Sequence, residues 1–169
     1  MTGLQFRFAV PEDAVEIADF MTRNFLAAYG HSSSPENIQK AVKHYYGVDA
    51  QHADLADNRI INCLGIIEEK IAGLAQVKPP KPDADQTQFE LCRFYVDALY
   101  HGKGIAPALM QQTLDTIRAC SAKTLWLSVW QESPQAIRFY QKHGFVINGD
   151  TIFMIGDEPM KDWLMTKIL

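Results

Sequence analysis

Apolar positions along the chain recur with two periods, and the order of these periods predicts a mixed α/β fold. Strand-like runs cover residues 4–10, 59–67, 71–78, 88–96, 123–130, 145–148 and 163–168. Helical spacing covers residues 14–28, 34–47, 104–121 and 133–143, and a short helix near 49–56 fits the pattern as well. Helices alternate with strands in the second half, so we expect an α/β or α+β sheet with mixed strand pairing.

Prolines, small polar residues and glycines mark the ends of these elements. Pro11 opens the first helix, Ser34 caps the second helix, and Gly47 ends it. Glu68-Glu69-Lys70 leaves room only for a tight connection between two strands. The first half therefore predicts a strand, helices and then an antiparallel meander.

Composition narrows the class of protein. The chain has 169 residues, of which 47% are apolar, so we expect one domain spanning residues 1–169. The net charge of −4 argues against a nucleic-acid partner, and no apolar run is long enough to span a membrane. Three scattered cysteines and a start without an apolar signal core predict a cytoplasmic protein. The five histidines lack metal-ligand spacing, so no metal site is predicted.

The first chemical signal is a glycine-containing loop between a strand and a long helix. Its residues are His101, Gly102, Lys103, Gly104, Ile105 and Ala106. Glycines let backbone N–H groups approach a bulky anion, and the helix N-terminus adds unpartnered donors and a positive dipole end. The loop therefore predicts a phosphate site, although a tight entry turn into the helix explains the glycines equally well. A P-loop and a dinucleotide fingerprint are excluded, because Ile105 and Pro107 stand where those motifs need other residues.

The second signal is the helix that begins about thirty residues later. Ser133 is predicted to cap it by accepting a hydrogen bond from a first-turn amide, with Pro134 at the first position. Tyr140 shares one face with Phe139 and His143, and Gly144 ends the helix.

These motifs together resemble the GNAT acetyltransferases. The strand Glu90–Val96, the loop and the helix 136–145 have the order and spacing of that family, and Gly104 and Ala106 match its loop pattern, whereas His101 departs from it. The resemblance implies a mixed, mostly antiparallel sheet of six to seven strands, flanked by about four helices and splayed into a V-shaped gap after the fourth strand. Residues 34–37 and 153–158, with Asp162 and Met165, are similar to the PaiA-type branch, whose members acetylate spermidine and spermine.

The resemblance implies acetyl-CoA as cosubstrate, with no metal. The pantetheine arm is expected along the backbone of Phe94, Tyr95 and Val96, where the amide of Phe94 or Tyr95 polarises the thioester carbonyl. The pyrophosphate is expected on the amides of residues 102–106. Ser133 stands where the family often has an asparagine that contacts the cofactor arm.

The resemblance also assigns the acid and base. Tyr140 matches the tyrosine that protonates the leaving thiolate; a core aromatic is the structural alternative. Glu90 is the first choice of general base, since alternation puts it on one face with Phe94 and Cys92. Two alternatives remain open. Glu90 is an ordinary carboxylate on the strand, or the amine loses its proton through a water chain that leads from a backbone carbonyl. An acetyl-Cys92 intermediate is less favoured than direct transfer, because no histidine is tied to the thiol.

The acceptor is predicted to be a small primary amine, with a polyamine first. The carboxylates considered for its pocket are Glu36, Asp157 and Glu158, and Trp126 and Trp130 are assigned to the core. A protein or peptide amine is the alternative acceptor, and a CoA-binding regulatory module with little activity is the alternative function. A homodimer is left open.

Overall fold

A seven-stranded sheet forms the centre of the protein in a computed structural model that describes residues 3–169. The strand order is β1-β2-β3-β4-β5-β7-β6. The strands are β1 (Gln5–Phe8), β2 (Ile61–Ile67), β3 (Lys70–Lys78), β4 (Gln88–Val96), β5 (Thr124–Trp130), β6 (Val146–Ile155) and β7 (Glu158–Ile168). The helices are α1 (Ala14–Tyr29), α2 (Pro35–Ala41), α3 (Val48–Ala56), α4 (Ile105–Ala119) and α5 (Pro134–Lys142).

Strand pairing confirms the predicted mixed, mostly antiparallel sheet. Only β4 and β5 pair in parallel within the part of the chain that the structure describes. Their pairing covers residues 88–90 of β4 and 124–126 of β5. Beyond Glu90 and Trp126 the two strands no longer pair with each other, although β4 continues to Val96 and β5 to Trp130. The predicted V-shaped gap is therefore present.

Each face of the sheet carries its own core cluster. One cluster packs residues of α4 against the sheet, and the other packs α1, α2 and the segment around Tyr46. Close contact between α4 and β3 depends on Gly73, because a Cβ there would lie 3.1 Å from Leu109 Cδ2 and 3.4 Å from Ile105 Cγ2. This approach fixes the start of α4 relative to the end of β4 across the sheet.

Two predicted elements differ from the structure. The helix expected over 34–47 ends as α2 at Ala41 and continues as a π-helical turn, Val42–Tyr46. The final strands were predicted at 145–148 and 163–168, whereas β6 and β7 form a longer hairpin that turns at Gly156, whose φ is +59°. The stretch around Gly149, just beyond the predicted end of the strand, forms an irregular part of β6, where the register shifts between Ile147 and Gly149.

None of the helices among residues 3–169 has the length and apolar character needed to cross a membrane.

Candidate active site

The loop before α4 has the backbone that its glycines predicted. Gly102 and Gly104 have φ values of +74° and +78°, in the left-handed region that favours glycine. A Cβ on Gly102 would meet no atom within 4 Å, so its requirement is conformational rather than steric. The His101 ring nitrogen Nε2 lies 2.9 Å from the carbonyl oxygen of Val96, which fastens the loop to the end of β4. The unusual histidine thus supports the loop from its side chain.

Unpartnered amides converge at the start of α4. Among residues 3–169, the amides of Gly102, Gly104, Ile105 and Ala106 have no protein acceptor, whereas the amide of Lys103 donates to the carbonyl of Tyr100 at 3.2 Å. The Ile105 side chain is buried, so only its backbone faces the loop. This helix of 15 residues adds its positive dipole end at the same place. The loop can therefore hold an anionic group through main-chain donors.

The V-shaped gap leaves one edge of β4 free. Phe94, Tyr95 and Val96 pair with β3 on one side and have no register partner in β5 on the other. Ser133 begins α5 at the end of the opposite strand, but its hydroxyl makes no cap hydrogen bond, so that expectation was wrong. Its backbone, with φ −107° and ψ 69°, is not the extended conformation of a capping residue, and only its carbonyl joins the helix, through the Ile137 amide at 3.0 Å.

Tyr140 lies on α5 beside this free edge. Its ring centroid is 6.4 Å from that of Phe94, 5.5 Å from that of Phe139 and 5.7 Å from that of Phe145. Its hydroxyl has no hydrogen-bond partner within residues 3–169. Burial raises the pKa of the Tyr140 phenol above its usual value of 10, so the group is protonated at neutral pH. The ring thus has the packing of a core aromatic, while the hydroxyl stays free.

A β-bulge in β4 changes which residues face each side of the sheet. Leu91 pairs with Val77 and Arg93 with Gln76, so Cys92 is an extra residue between them. Phe94 packs on the α5 side, whereas Glu90 lines a groove on the opposite face. The prediction that alternation puts Glu90 and Phe94 on one face was therefore wrong, because the bulge adds one residue to the count.

Cys92 is held as a protonated thiol. Its Sγ donates toward the backbone oxygen of Gln76 at 3.3 Å and toward its Oε1 at 3.2 Å. Burial raises the pKa of the Cys92 thiol to about 12. Since the thiolate is the nucleophilic form, these surroundings work against an acetyl-cysteine intermediate.

A narrow cavity lies across the sheet from Tyr140, where β4 and β5 diverge. Aromatic side chains form much of its wall, and the hydroxyls of Tyr46 and Tyr95 lie 3.2 Å apart. Trp130 lines this cavity, and Trp126 lines a wider groove beside it. Both tryptophans are half-buried, so their assignment to the core was wrong.

Asp162 is the carboxylate that lines this cavity. It lies on β7 opposite Trp130 and is only 6% exposed. Burial raises the pKa of the Asp162 carboxyl to about 6, against a smaller opposing effect of a hydrogen bond with Ser128. The sequence showed Asp162 only as part of a resemblance, because the predicted strand began one residue later.

Arg93 lines the same cavity and was also missed. Its guanidinium carbon lies 5.0 Å from the ring centroid of Tyr46 and 5.5 Å from that of Tyr45, and its Nη1 donates to the carbonyl of Cys92 at 2.6 Å. No carboxylate oxygen lies within 4 Å of this guanidinium in the described residues. The cavity therefore contains one anionic and one cationic group.

The acids considered for an amine pocket lie elsewhere. Lys40 Nζ is 3.1 Å from Glu36 Oε1 and 2.6 Å from Asp157 Oδ2, and Glu158 accepts a hydrogen bond from Ser33. The three acids are exposed and do not line the cavity.

These acids belong to a connection between two elements. Asn37 Oδ1 accepts from the amide of Asp157 at 3.1 Å, and Gly156 packs so closely that a Cβ would lie 2.6 Å from that oxygen. The segments that resemble the PaiA-type branch therefore attach α2 to the β6–β7 turn. Across residues 3–169, no group of three or more His, Cys, Asp or Glu residues could hold a metal ion.

Comparison with known proteins decides the family. A model of the acetyltransferase (GNAT) family matches residues 16–145. The chain belongs to this family. As a GNAT N-acetyltransferase, it is an enzyme that transfers an acetyl group from acetyl-CoA to an amine.

Individual relatives agree with the family. An uncharacterized N-acetyltransferase of Mycobacterium tuberculosis is 34% identical over 158 residues, which cover 93% of this chain and 98% of the relative. A spermine/spermidine N(1)-acetyltransferase of Bacillus subtilis is 36% identical over 66 residues, covering 37% of this chain and 42% of the relative. The crystal structure of the PaiA N-acetyltransferase of Thermoplasma acidophilum in complex with coenzyme A has the same fold, with a TM-score of 0.84, 18% identity and coverage of 99% of this chain and 100% of that chain.

The residues of this GNAT protein fit its cosubstrate. Coenzyme A needs donors for a diphosphate and a polar edge for the amides of its pantetheine arm. The unpartnered amides at the start of α4 supply the donors, and the free edge of β4 from Phe94 to Val96 supplies the backbone groups. Both features lie at the same end of the gap, because the loop directly follows β4.

Proposed function

We propose that this chain, as a single domain spanning residues 1–169, acetylates a primary amine of a small polyamine such as spermidine or spermine by direct transfer. One observation carries the proposal: the gap between β4 and β5 has Tyr140 on one face and a cavity containing a buried carboxylate on the other. The partial similarity to the Bacillus subtilis spermine/spermidine acetyltransferase supports a polyamine acceptor.

Backbone groups of this chain bind acetyl-CoA in the proposal. The amides of Gly102, Gly104, Ile105 and Ala106 hold the diphosphate, with the positive end of α4 behind them. Lys103 is part of the turn but is not one of the donors, because its amide already donates to the carbonyl of Tyr100. Pantetheine pairs with the free edge from Phe94 through Tyr95 to Val96, and the uncapped Ser133 hydroxyl is available to it from α5.

Tyr140 is the proposed general acid. Acetyl-CoA supplies an acetyl thioester, whose carbonyl carbon is attacked by the amine. The Tyr140 hydroxyl retains its proton at neutral pH and is free of protein partners, so it can donate that proton to the leaving sulfur. A backbone amide of Phe94 or Tyr95 on the free edge supports the carbonyl oxygen as charge develops.

Asp162 replaces Glu90 as the proposed general base. Glu90 lies beside Trp126, at the last β4–β5 pair, and Asp162 lies beside Trp130, about 13 Å further along β5 at about 3.3 Å per residue. Glu90 pairs with Lys78 of β3, and Phe94, which packs on Tyr140, pairs with Ala75. Phe94 therefore lies three residues of β3, or about 10 Å, beyond Glu90. Along the strand direction, Asp162 therefore lies closer than Glu90 to the position of Tyr140.

The ionisation of Asp162 suits this role. With a pKa of about 6 it is ionised at neutral pH, yet it is a stronger base than an ordinary aspartate. Its burial also keeps water from competing for the amine.

An amine that also carries a carboxylate is the second candidate acceptor. Arg93 lines the cavity without an ion-pair partner in the described residues, and a guanidinium favours an anion there. A peptide or protein amine would provide such a group, so this observation supports the alternative of a peptide N-acetyltransferase. The cytoplasmic location stays a prediction from the sequence, and the homodimer stays open.

The test is release of free CoA with spermidine, spermine, putrescine and lysine peptides, compared with calorimetric binding of acetyl-CoA. The polyamine proposal expects the highest kcat/KM with spermidine or spermine. Higher kcat/KM with peptides would favour the second candidate. Tight acetyl-CoA binding without turnover of any amine would instead favour a CoA-binding regulatory module.

A further inference from the structure

A wide groove lies beside the cavity on the same face of the sheet. We propose that Glu90 and Trp126 in this groove bind the far ammonium group of a long polyamine whose near amine lies at Asp162. The proposal rests on the polyamine activity proposed above and concerns which acceptor lengths the enzyme prefers. In it, Glu90 anchors the substrate instead of removing the proton.

The groove continues directly from the cavity. Ser128 and Phe153 line both, so no strand separates the two spaces. Glu90 and Trp126 are neighbours across the β4–β5 pair, and their side chains share the face of Ser128. A flexible chain that leaves the cavity past Ser128 therefore reaches these two side chains next.

Glu90 lacks a cation of its own. It is half-buried, and burial raises the pKa of its carboxyl despite the opposing charges of Arg93, Lys78 and Lys81. Lys78 is its register partner on β3, but the Lys78 Nζ lies 3.2 Å from Asp54 Oδ1 and is paired there. Within residues 3–169, no cationic nitrogen lies within 4 Å of the Glu90 carboxylate. A partly desolvated carboxylate without a partner favours a bound cation.

Trp126 adds a second feature that selects for a cation. Its half-buried ring lies beside Glu90 on an open groove, and tryptophan is the strongest aromatic partner for ammonium groups. An ammonium between a carboxylate and an indole is held by charge and by the ring face together. The aliphatic stem of the same ligand gains contact with Phe153 and Ile152 along the groove.

The separation of the two carboxylates sets the length of the acceptor. Asp162 and Glu90 lie about 13 Å apart along β5 and about 10 Å apart across two strand spacings, which gives about 16 Å between their backbones. Terminal nitrogens lie about 11 Å apart in extended spermidine, about 16 Å apart in spermine and about 6 Å apart in putrescine, at about 1.25 Å per bond. With side chains reaching inward, spermidine and spermine can engage both acids, whereas putrescine cannot.

The test compares Glu90→Gln and Trp126→Leu with the parent enzyme on spermidine, spermine and putrescine. For the long amines we expect Glu90→Gln to raise KM about tenfold and Trp126→Leu about fivefold, with kcat nearly unchanged. For putrescine we expect neither constant to change. Glu69→Gln, at the exposed β2–β3 turn, removes the same charge away from the groove and serves as the control. Calorimetry of spermidine binding gives a readout independent of turnover.

Three results would overturn the inference. A similar fall in kcat for all three amines in Glu90→Gln would make Glu90 the base, as the sequence first suggested. Unchanged KM for spermidine and spermine in both variants would leave the polyamine activity standing without this binding region. A parent enzyme that neither binds nor acetylates any polyamine would overturn the proposed function and this inference together.

Discussion

The buried carboxylate of Asp162 should make the enzyme less stable at the pH where it works. Replacing it by asparagine keeps the shape of the side chain and removes the charge. Because an asparagine oxygen can still accept a hydrogen bond from Ser128, the main change is the loss of a desolvated anion. We therefore expect Asp162→Asn to be more stable and less active than the parent.

The size of this change in stability follows from the shift in the pKa of Asp162. The pKa of Asp162 rises from 3.8 to about 6 on folding, which is about two units, and each unit corresponds to about 1.4 kcal/mol. A raised pKa means that the folded protein binds the proton more tightly than the unfolded chain does. Proton binding by Asp162 therefore stabilises the fold fully below pH 4, and this stabilisation is lost as the pH rises through 6. At pH 8 the ionised group thus costs up to about 3 kcal/mol, or about 6–12 °C in Tm for a chain of this size.

Urea denaturation at pH 8, 6 and 4, followed by circular dichroism, measures this cost. Asp162→Asn should exceed the parent in free energy of unfolding at pH 8, and the difference should shrink to nothing near pH 4. In the same preparations, kcat should fall about a hundredfold or more, as expected for loss of a general base. In the parent, kcat/KM should show a limb near pH 6 that the variant lacks. Asp150→Asn, exposed on β6, should change neither property.

Two outcomes would refute this reasoning separately. Equal stability of parent and Asp162→Asn at pH 8 would show that burial does not penalise the charge. Greater stability with undiminished turnover would confirm the penalty but exclude Asp162 as the base.

Other substitutions test the remaining parts of the site and fold. Tyr140→Phe keeps the aromatic packing and should lower kcat about a hundredfold while acetyl-CoA binding measured by calorimetry stays within twofold; unchanged kcat would return the residue to a packing role. Gly102→Ala forces a side chain into a left-handed φ of +74°, at a cost of about 1–2 kcal/mol, and should weaken acetyl-CoA binding about tenfold; an unaltered affinity would contradict the amide site. Gly156→Ala would place a Cβ 2.6 Å from Asn37 Oδ1 and should lower the free energy of unfolding by about 2 kcal/mol or more, whereas Gly149→Ala, whose Cβ would meet Leu164 at 3.5 Å, should change it little; equal stability of the two would contradict the close contact at the hairpin turn.

Several features that depend on local backbone chemistry were predictable from the sequence, although the Ser133 cap was not among them. Gly102 and Gly104 were expected to allow amides to approach an anion, and both have the left-handed φ that this requires. Tyr140 was placed on the correct helix face, because helical periodicity is regular over α5. Such inferences need only neighbours within a few residues.

Features that depend on pairing between distant strands were not predictable in the same way. The bulge at Cys92 arises from the pairing of β4 with β3, and nothing in the alternation of β4 alone reveals it. Arg93 was given no role in the sequence analysis, although its guanidinium packs on two tyrosine rings of another segment. Asp162 was named only through the resemblance and given no role, because the hairpin extends further than its apolar residues indicate.

The bulge at Cys92 determines which side chains of β4 face the cavity. If the same residues of β4 paired regularly with β3, without a bulge at Cys92, every later side chain in the strand would lie on the opposite face. Arg93 would then leave the cavity that Asp162 lines, and the ring of Phe94 would move toward it and away from Tyr140. A homologous enzyme whose β4 paired without this bulge should therefore accept a different class of amine, even if every side chain were the same.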